Sequence, residues 1–224
     1  LAHSSPHRTL RLAIARNAVM EVIRAKEFRS ADYVILIDFD DVNAAPIDLG
    51  VIYKTIVSMA NEPSWGASFA NSTGVYYDLW ALRHPNVCPG DLWLDSECYR
   101  IQHNVSVEKA FEVVFEPRIF QIPPSLPPFA VHSAFGGFGI YKAAPLRNSS
   151  ASYVGDQSRL LKTDDGVKLF HYQACEHVAF HHSLRSETGV NLKIVPELVN
   201  RHVHSPGFRA ASMIDLTIQT YAIN

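Results

Sequence analysis

At 224 residues, 47% hydrophobic and with a formal net charge of -2, the chain has the make-up of one domain able to bury a substantial core. Its 20 basic residues form no stripe, which argues against nucleic acid as the main partner. No run of 18 apolar residues occurs, so the sequence holds no membrane segment. The three cysteines form no CxxC, which excludes the usual thiolate zinc site.

Residues 1–8 read as a loop. From Thr9 to Lys26, the positions Leu12, Ala15, Val19, Val22 and Ile23 recur at helical spacing on a segment that also carries Arg11, Arg16 and Asn17. The apolar run Tyr33 to Ile37 follows and reads as a buried parallel strand. It stops abruptly at Asp38-Phe39-Asp40-Asp41. Three carboxylates so close repel one another unless a cation sits among them; the plainer reading is a solvated acidic turn. Asp48 is placed to cap a helix with Leu49, Ile52, Ile56 and Met59 on one face, and Asn61 to Ser64 ends it. Trp65 to Ala70 reads as a second buried strand. This alternation of helix and strand predicts an α/β fold with a mostly parallel sheet flanked by helices.

The segment Gly74 to Arg83 is dense in aromatic residues and contains Asp78, Trp80 and Arg83. Such residues stack on rings and bind hydroxyls or phosphates, but an aromatic core strand is an equal reading. Residues 84–117 suggest helical pieces, Arg118 to Ile122 a strand, and Pro123 to Pro128 an extended connector. Val131 to Lys142 contains Gly136, Gly137 and Gly139. They permit close backbone approach to a ligand, or alternatively form a bulge or tight hairpin. Neither a Walker loop nor a GxGxxG fingerprint is present. Residues 143–170 read as a mobile surface region with turns and the acids Asp156, Asp164 and Asp165.

Ala174 to Leu184 reads as a helix ending near Gly189, with Glu176 in its first turn, where the helix dipole favours a carboxylate. His177 and His181 have the spacing of a zinc pair, but Val178 stands where HExxH requires Glu. Leu192 to Val195 predicts a strand, His202 and His204 follow, and Ala210 to Tyr221 predicts a terminal helix. Cys88 and Cys98 either pair or stay reduced together with Cys175. Asn71, Asn104 and Asn148 open glycosylation sequons.

In this order the residues resemble a GT-A type glycosyltransferase of the family-two-like, DxD-containing group. Ala15-Arg16-Asn17 before a strand ending Ile37-Asp38-Phe39-Asp40-Asp41 is similar to that group's paired signature. Phe135 to Tyr141 is similar to its glycine pair, Glu176 stands at its acidic helix start, and His202 or His204 at its late metal ligand. Tyr76 to Arg83 also resembles a segment of capsule-type mannosyltransferases.

The resemblance implies a single GT-A-like domain over 1–224 that lacks the strands normally preceding the Arg-Asn helix. It implies a nucleotide-sugar donor, guessed as a UDP-sugar, and a glycan or other hydroxyl acceptor. Asp38, Asp40 and Asp41, with His202 or His204, would hold Mn²⁺ or Mg²⁺. Arg16, Asn17, Asp38, Gly136 and Gly137 would face the donor, and Asp78, Trp80, Arg83 and Tyr141 the sugar or acceptor. Glu176 would be the general base of an inverting transfer, with Asp156, Asp164 and Asp165 as rivals. A non-catalytic nucleotide- or carbohydrate-binding module is the alternative.

Overall fold

The computed structural model describes residues 7–39, 41–43, 45–163, 166–201 and 219–222. Helix α1 (Arg8–Arg24) buries Thr9, Ala13, Met20 and Ile23, a single stripe at helical period. Val19 and Val22, expected on that inner stripe, are instead exposed. Strand β1 (Tyr33–Ile37) leads to helix α2 (Leu49–Asn61). As the sequence predicts, Asp48 caps α2, its carboxylate accepting from the amides of Gly50 at 2.8 Å and Val51 at 3.3 Å. The buried face of α2 is Val51, Thr55 and Met59, whereas Leu49 points outward.

Strand β2 (Trp65–Ser72) is buried at every position and lies at the centre of the sheet. Helices α3 (Leu92–His103) and α4 (Val107–Ala110) follow, then strands β3 (Phe129–Val131) and β4 (Phe138–Lys142) and helix α5 (Ala143–Asn148). Strands β5 (Asp156–Thr163) and β6 (Gly166–Gln173) form a hairpin. Helix α6 (Glu176–Thr188) ends at Gly189, whose φ of 70° is the left-handed conformation glycine adopts without strain. Strand β7 (Asn191–Asn200) and a short strand β8 (Gln219–Ala222) complete the described chain.

Five strands form one sheet in the order β1-β4-β2-β7-β3, and β5-β6-β8 form a second. The fold is α/β, but the expected mostly parallel sheet is corrected. Among the described residues only β2 and β7 pair in parallel, while β1–β4, β2–β4 and β3–β7 are antiparallel. The cause is β4. It runs against both β1 and β2, so β1, β2 and β7 still point the same way, as alternating helices and strands require. β4 comes out of the glycine turn rather than from a crossover helix, and it separates the two strands expected to be neighbours.

β1 is consequently an edge strand, not a buried one: among the described residues it pairs on one side only, and Ile35 and Ile37 are about two-fifths exposed. One core cluster, including Phe69, Tyr141, Phe180 and Ile194, lies on the side of α1 and α6; a second, with Met59, Phe138, Ile140 and Leu198, lies under α2. Full burial of such a side chain stabilises by about 1.5–3 kcal/mol.

Three smaller expectations are also corrected. Arg118 to Ile122 forms no strand: Glu116–Arg118 is a tight helical turn with Pro117 inside it, and only Gln121 bridges to Val75. Among the described residues of 143–170, Ala143–Asn148 form α5 and Asp156–Thr163 pairs with the strand that starts at Gly166, and residues 219–221 are strand rather than helix. The rest of the predicted terminal helix lies outside the described residues. All three thiols are free. Asn71 is buried, its amide donating to the carbonyls of Ile122 and Pro196, so its sequon is closed to modification in the folded chain.

Candidate functional site

The site forms where β1 ends. The Asp38 amide donates to the Gly137 carbonyl at 2.9 Å, and the Asn43 amide donates to the carbonyls of Asp38 and Gly137 at 2.7 and 2.9 Å. The strand end and the glycine turn are thus clamped together.

Gly136 and Gly137 hold φ of 65° and 75° in succession. A Cβ on Gly136 would lie 2.5 Å from the Ala70 carbonyl oxygen, and one on Gly137 2.5 Å from Cγ1 of Val42. Both positions therefore require glycine sterically as well as conformationally. Asp78 fixes the same turn from below. Its Oδ2 accepts from the Gly136 amide at 2.8 Å and its Oδ1 from the Ala81 amide at 3.3 Å. Burial pushes its carboxyl up to about 6, against the opposing pull of those two amides.

Arg16 reaches this strand end from α1. Its Nη2 donates to Oδ1 of Asp38 at 2.7 Å and its Nε to Oε1 of Glu176 at 3.0 Å. The guanidinium carbon lies 5.0 Å from the Phe135 ring centre and 5.9 Å from that of Tyr153. Burial disfavours the charge on Arg16, but Asp38 and then Glu176 more than restore it, so the group stays cationic. Burial raises the Glu176 carboxyl, with Arg16 opposing. A carboxylate of raised proton affinity, fixed by one cation, is suited to accept a proton. Asn17, one residue on, binds backbone instead: its amide donates to the Tyr153 carbonyl at 3.0 Å and its oxygen accepts from the Tyr153 amide at 2.7 Å.

Two grooves flank the β1 edge. One of about 560 Å³ is lined by Ile35, Ile37, Asp38, Phe39, Asn43 and Phe138 among others; another of about 290 Å³ is lined by Arg16, Val19, Met20, Ile37 and Tyr153 among others. Compared with protein-family models and with curated proteins, the chain matches none.

The structure thus brings together Arg16, Asp38, Glu176, Gly136 and Gly137, with Asn17 and Asp78 as braces behind them. Asp41 opens a tight turn through Asn43. Asp40, His202, His204, Asp164 and Asp165 lie outside the described residues, and among the described residues no cluster of three metal-ligating side chains occurs.

Asp156, a rival base, is exposed at the start of β5. Tyr141 is withdrawn from ligand contact: it is fully buried, with its hydroxyl 2.9 Å from Nε2 of His181. Ser133 holds the other nitrogen of His181 at 2.8 Å, and burial pushes that imidazole down to about 3, so the helical histidine pair is core. His177 is buried against Phe135, ring centres 4.0 Å apart, and burial keeps it neutral. Trp80 and Arg83 both donate to Oδ2 of Asp91 at 3.2 Å, away from the Arg16 cluster.

Sequence reasoning missed Tyr153, whose ring walls the Arg16 pocket, and Asn43 and Asn200, which fix the glycine turn; Asn200 donates to the Gly136 carbonyl. No local motif marks these three, since each acts through contacts made only in the folded chain.

Proposed function

We propose that the protein is a metal-dependent glycosyltransferase that moves a sugar from a nucleotide diphosphate to an acceptor hydroxyl, with Glu176 as general base. The observation that carries this reading is the pair of salt bridges from Arg16 to Asp38 and Glu176. It joins three polar residues singled out for that chemistry from three distant parts of the chain, at a strand's carboxyl end beside a double-glycine turn.

In this reading the groove along Ile37, Asp38 and Phe39 takes the donor. The Phe39 ring, 99% exposed, offers its face to the nucleobase. Asp38 is an oxygen donor of the kind Mn²⁺ or Mg²⁺ prefers, and it would hold the ion with Asp40. The ion would supply Lewis-acid stabilisation of the departing diphosphate. Glu176, oriented by Arg16, takes the proton from the acceptor hydroxyl as its oxygen attacks the anomeric carbon, which implies inversion. The glycine turn, held by Asp78, packs its backbone tightly against Ala70 and Val42 and so fixes the end of the strand that carries Asp38.

The test is turnover of a panel of UDP- and GDP-sugars by the full chain with and without Mn²⁺. Metal-dependent release of nucleotide diphosphate is expected from at least one donor. Absence of both turnover and binding for every donor refutes the reading.

A further inference from the structure

A third, smaller cavity lies apart from the Arg16 cluster, between α3, the β5–β6 hairpin and the start of α6. We propose that it binds one neutral hexose unit of the acceptor glycan; the word acceptor rests on the glycosyl-transfer reading, while the binding of a sugar ring does not.

The cavity has a volume of about 250 Å³, and its polar lining is Arg83, Asp91, Asp95, Gln157, Arg159 and Tyr172. It falls below the ~300–1,000 Å³ typical of sites for drug-sized ligands, which leaves room for a single ring. Its charges cancel. Arg83 pairs with Asp91 at 3.2 Å and Arg159 with Asp95 at 3.5 Å. A phosphate or nucleotide would have to break one of these pairs, whereas a neutral polyol can hydrogen-bond to both.

The floor is preorganised. Asp91 and Arg83 are nearly buried, and Asp91 also receives the Trp80 indole and caps α3 through the amides of Trp93 and Leu94. Groups fixed in this way lose little entropy on binding. The rim is adaptable. Gln157 accepts from the Tyr172 hydroxyl at 3.0 Å, and among the described residues this leaves its amide N–H groups for a ligand. Guanidinium, carboxylate and amide groups present the paired donors and acceptors that vicinal hydroxyls match, and the Tyr172 ring supplies a face for sugar C–H groups.

Gly90 also lines the cavity, and a Cβ there would lie 2.6 Å from the Asp95 carboxylate. The wall beside α6 is Ala174 and Cys175, the two residues directly before Glu176. A ring held here therefore lies against the start of the helix whose first residue is Glu176.

The experiment is an amide chemical-shift titration of the labelled full chain with methyl glucoside, methyl galactoside and methyl mannoside, and with inorganic phosphate as the charged comparator. Saturable shifts at Gly90, Gln157 and Tyr172 with at least one glycoside are expected. Gln157→Ala and Arg159→Ala, both at solvent-accessible positions, are expected to weaken binding about tenfold or more. Absence of saturation by every glycoside, preferential binding of phosphate, or wild-type affinity in both variants would overturn the proposal. Because no nucleotide sugar is present, these outcomes are read independently of donor turnover.

Discussion

Arg16 and Glu176, 160 residues apart in the chain, are joined by a 3.0 Å hydrogen bond inside a pocket that leaves the Glu176 side chain only 5% exposed. Removing the cation leaves a buried carboxylate without its partner. Arg16→Met is predicted to destabilise the fold by about 3–5 kcal/mol near neutral pH. Without Arg16, the proton affinity of Glu176 rises further. The variant is then most stable in acid and loses stability as pH rises through the folded-state value. Urea unfolding of the wild type and the variant at acid and neutral pH measures both effects.

Asp78 carries the second pH signature. Its carboxyl lies near 3.8 unfolded and about 6 when folded, so the native state binds the proton more tightly. The associated stability is present in full below the unfolded value and is lost as pH rises through about 6. At about 1.4 kcal/mol per pH unit, this amounts to about 3 kcal/mol. The difference in unfolding free energy between the wild type and Asp78→Asn, followed from pH 4 to 7, is expected to fall across that window.

Two glycines with positive φ separate conformational strain from collision. Gly74 has a φ of 71°, and a Cβ added there would meet nothing within 4 Å, whereas one on Gly136 would strike the Ala70 carbonyl. Gly74→Ala is predicted to cost about 1–2 kcal/mol from the left-handed backbone alone. Gly136→Ala is predicted to cost clearly more, because the Ala70 backbone must move as well. Thermal unfolding of the two variants ranks them.

The hydroxyl of Tyr141 is bound to His181 rather than facing a ligand. Tyr141→Phe leaves Nε2 of a buried imidazole unpaired, which costs about 1–3 kcal/mol. Calorimetry is expected to show that loss, while nucleotide-sugar binding at 25 °C stays at the wild-type level.

Much of this arrangement is legible in the sequence because it is local. The Asp48 cap, the α2 stop, the fully buried β2 and the Gly189 terminus each follow from a few neighbouring residues. The order of motifs anticipates the approach of Arg16, Asp38 and Glu176. What escapes depends on pairing at a distance. A short apolar run does not record whether its neighbour is parallel, so the insertion of β4 between β1 and β2 cannot be read from either strand. The hairpin of β5 and β6 is hidden because its outer positions, such as Leu160 and Val167, are exposed and the run lacks clean alternation. Aromatic residues give the most ambiguous signal: Tyr76 and Tyr141 are core, while Phe39 stands fully in solvent.

The most direct measurement is a paired comparison of Asp38→Ala and Glu176→Gln for nucleotide-diphosphate binding with Mn²⁺ and for sugar transfer. If Asp38 holds the donor and Glu176 takes the acceptor proton, Asp38→Ala loses both, whereas Glu176→Gln keeps binding and loses transfer by about 10²–10⁴-fold. Transfer at the wild-type rate in Glu176→Gln, or metal-dependent binding unchanged in Asp38→Ala, would contradict the account.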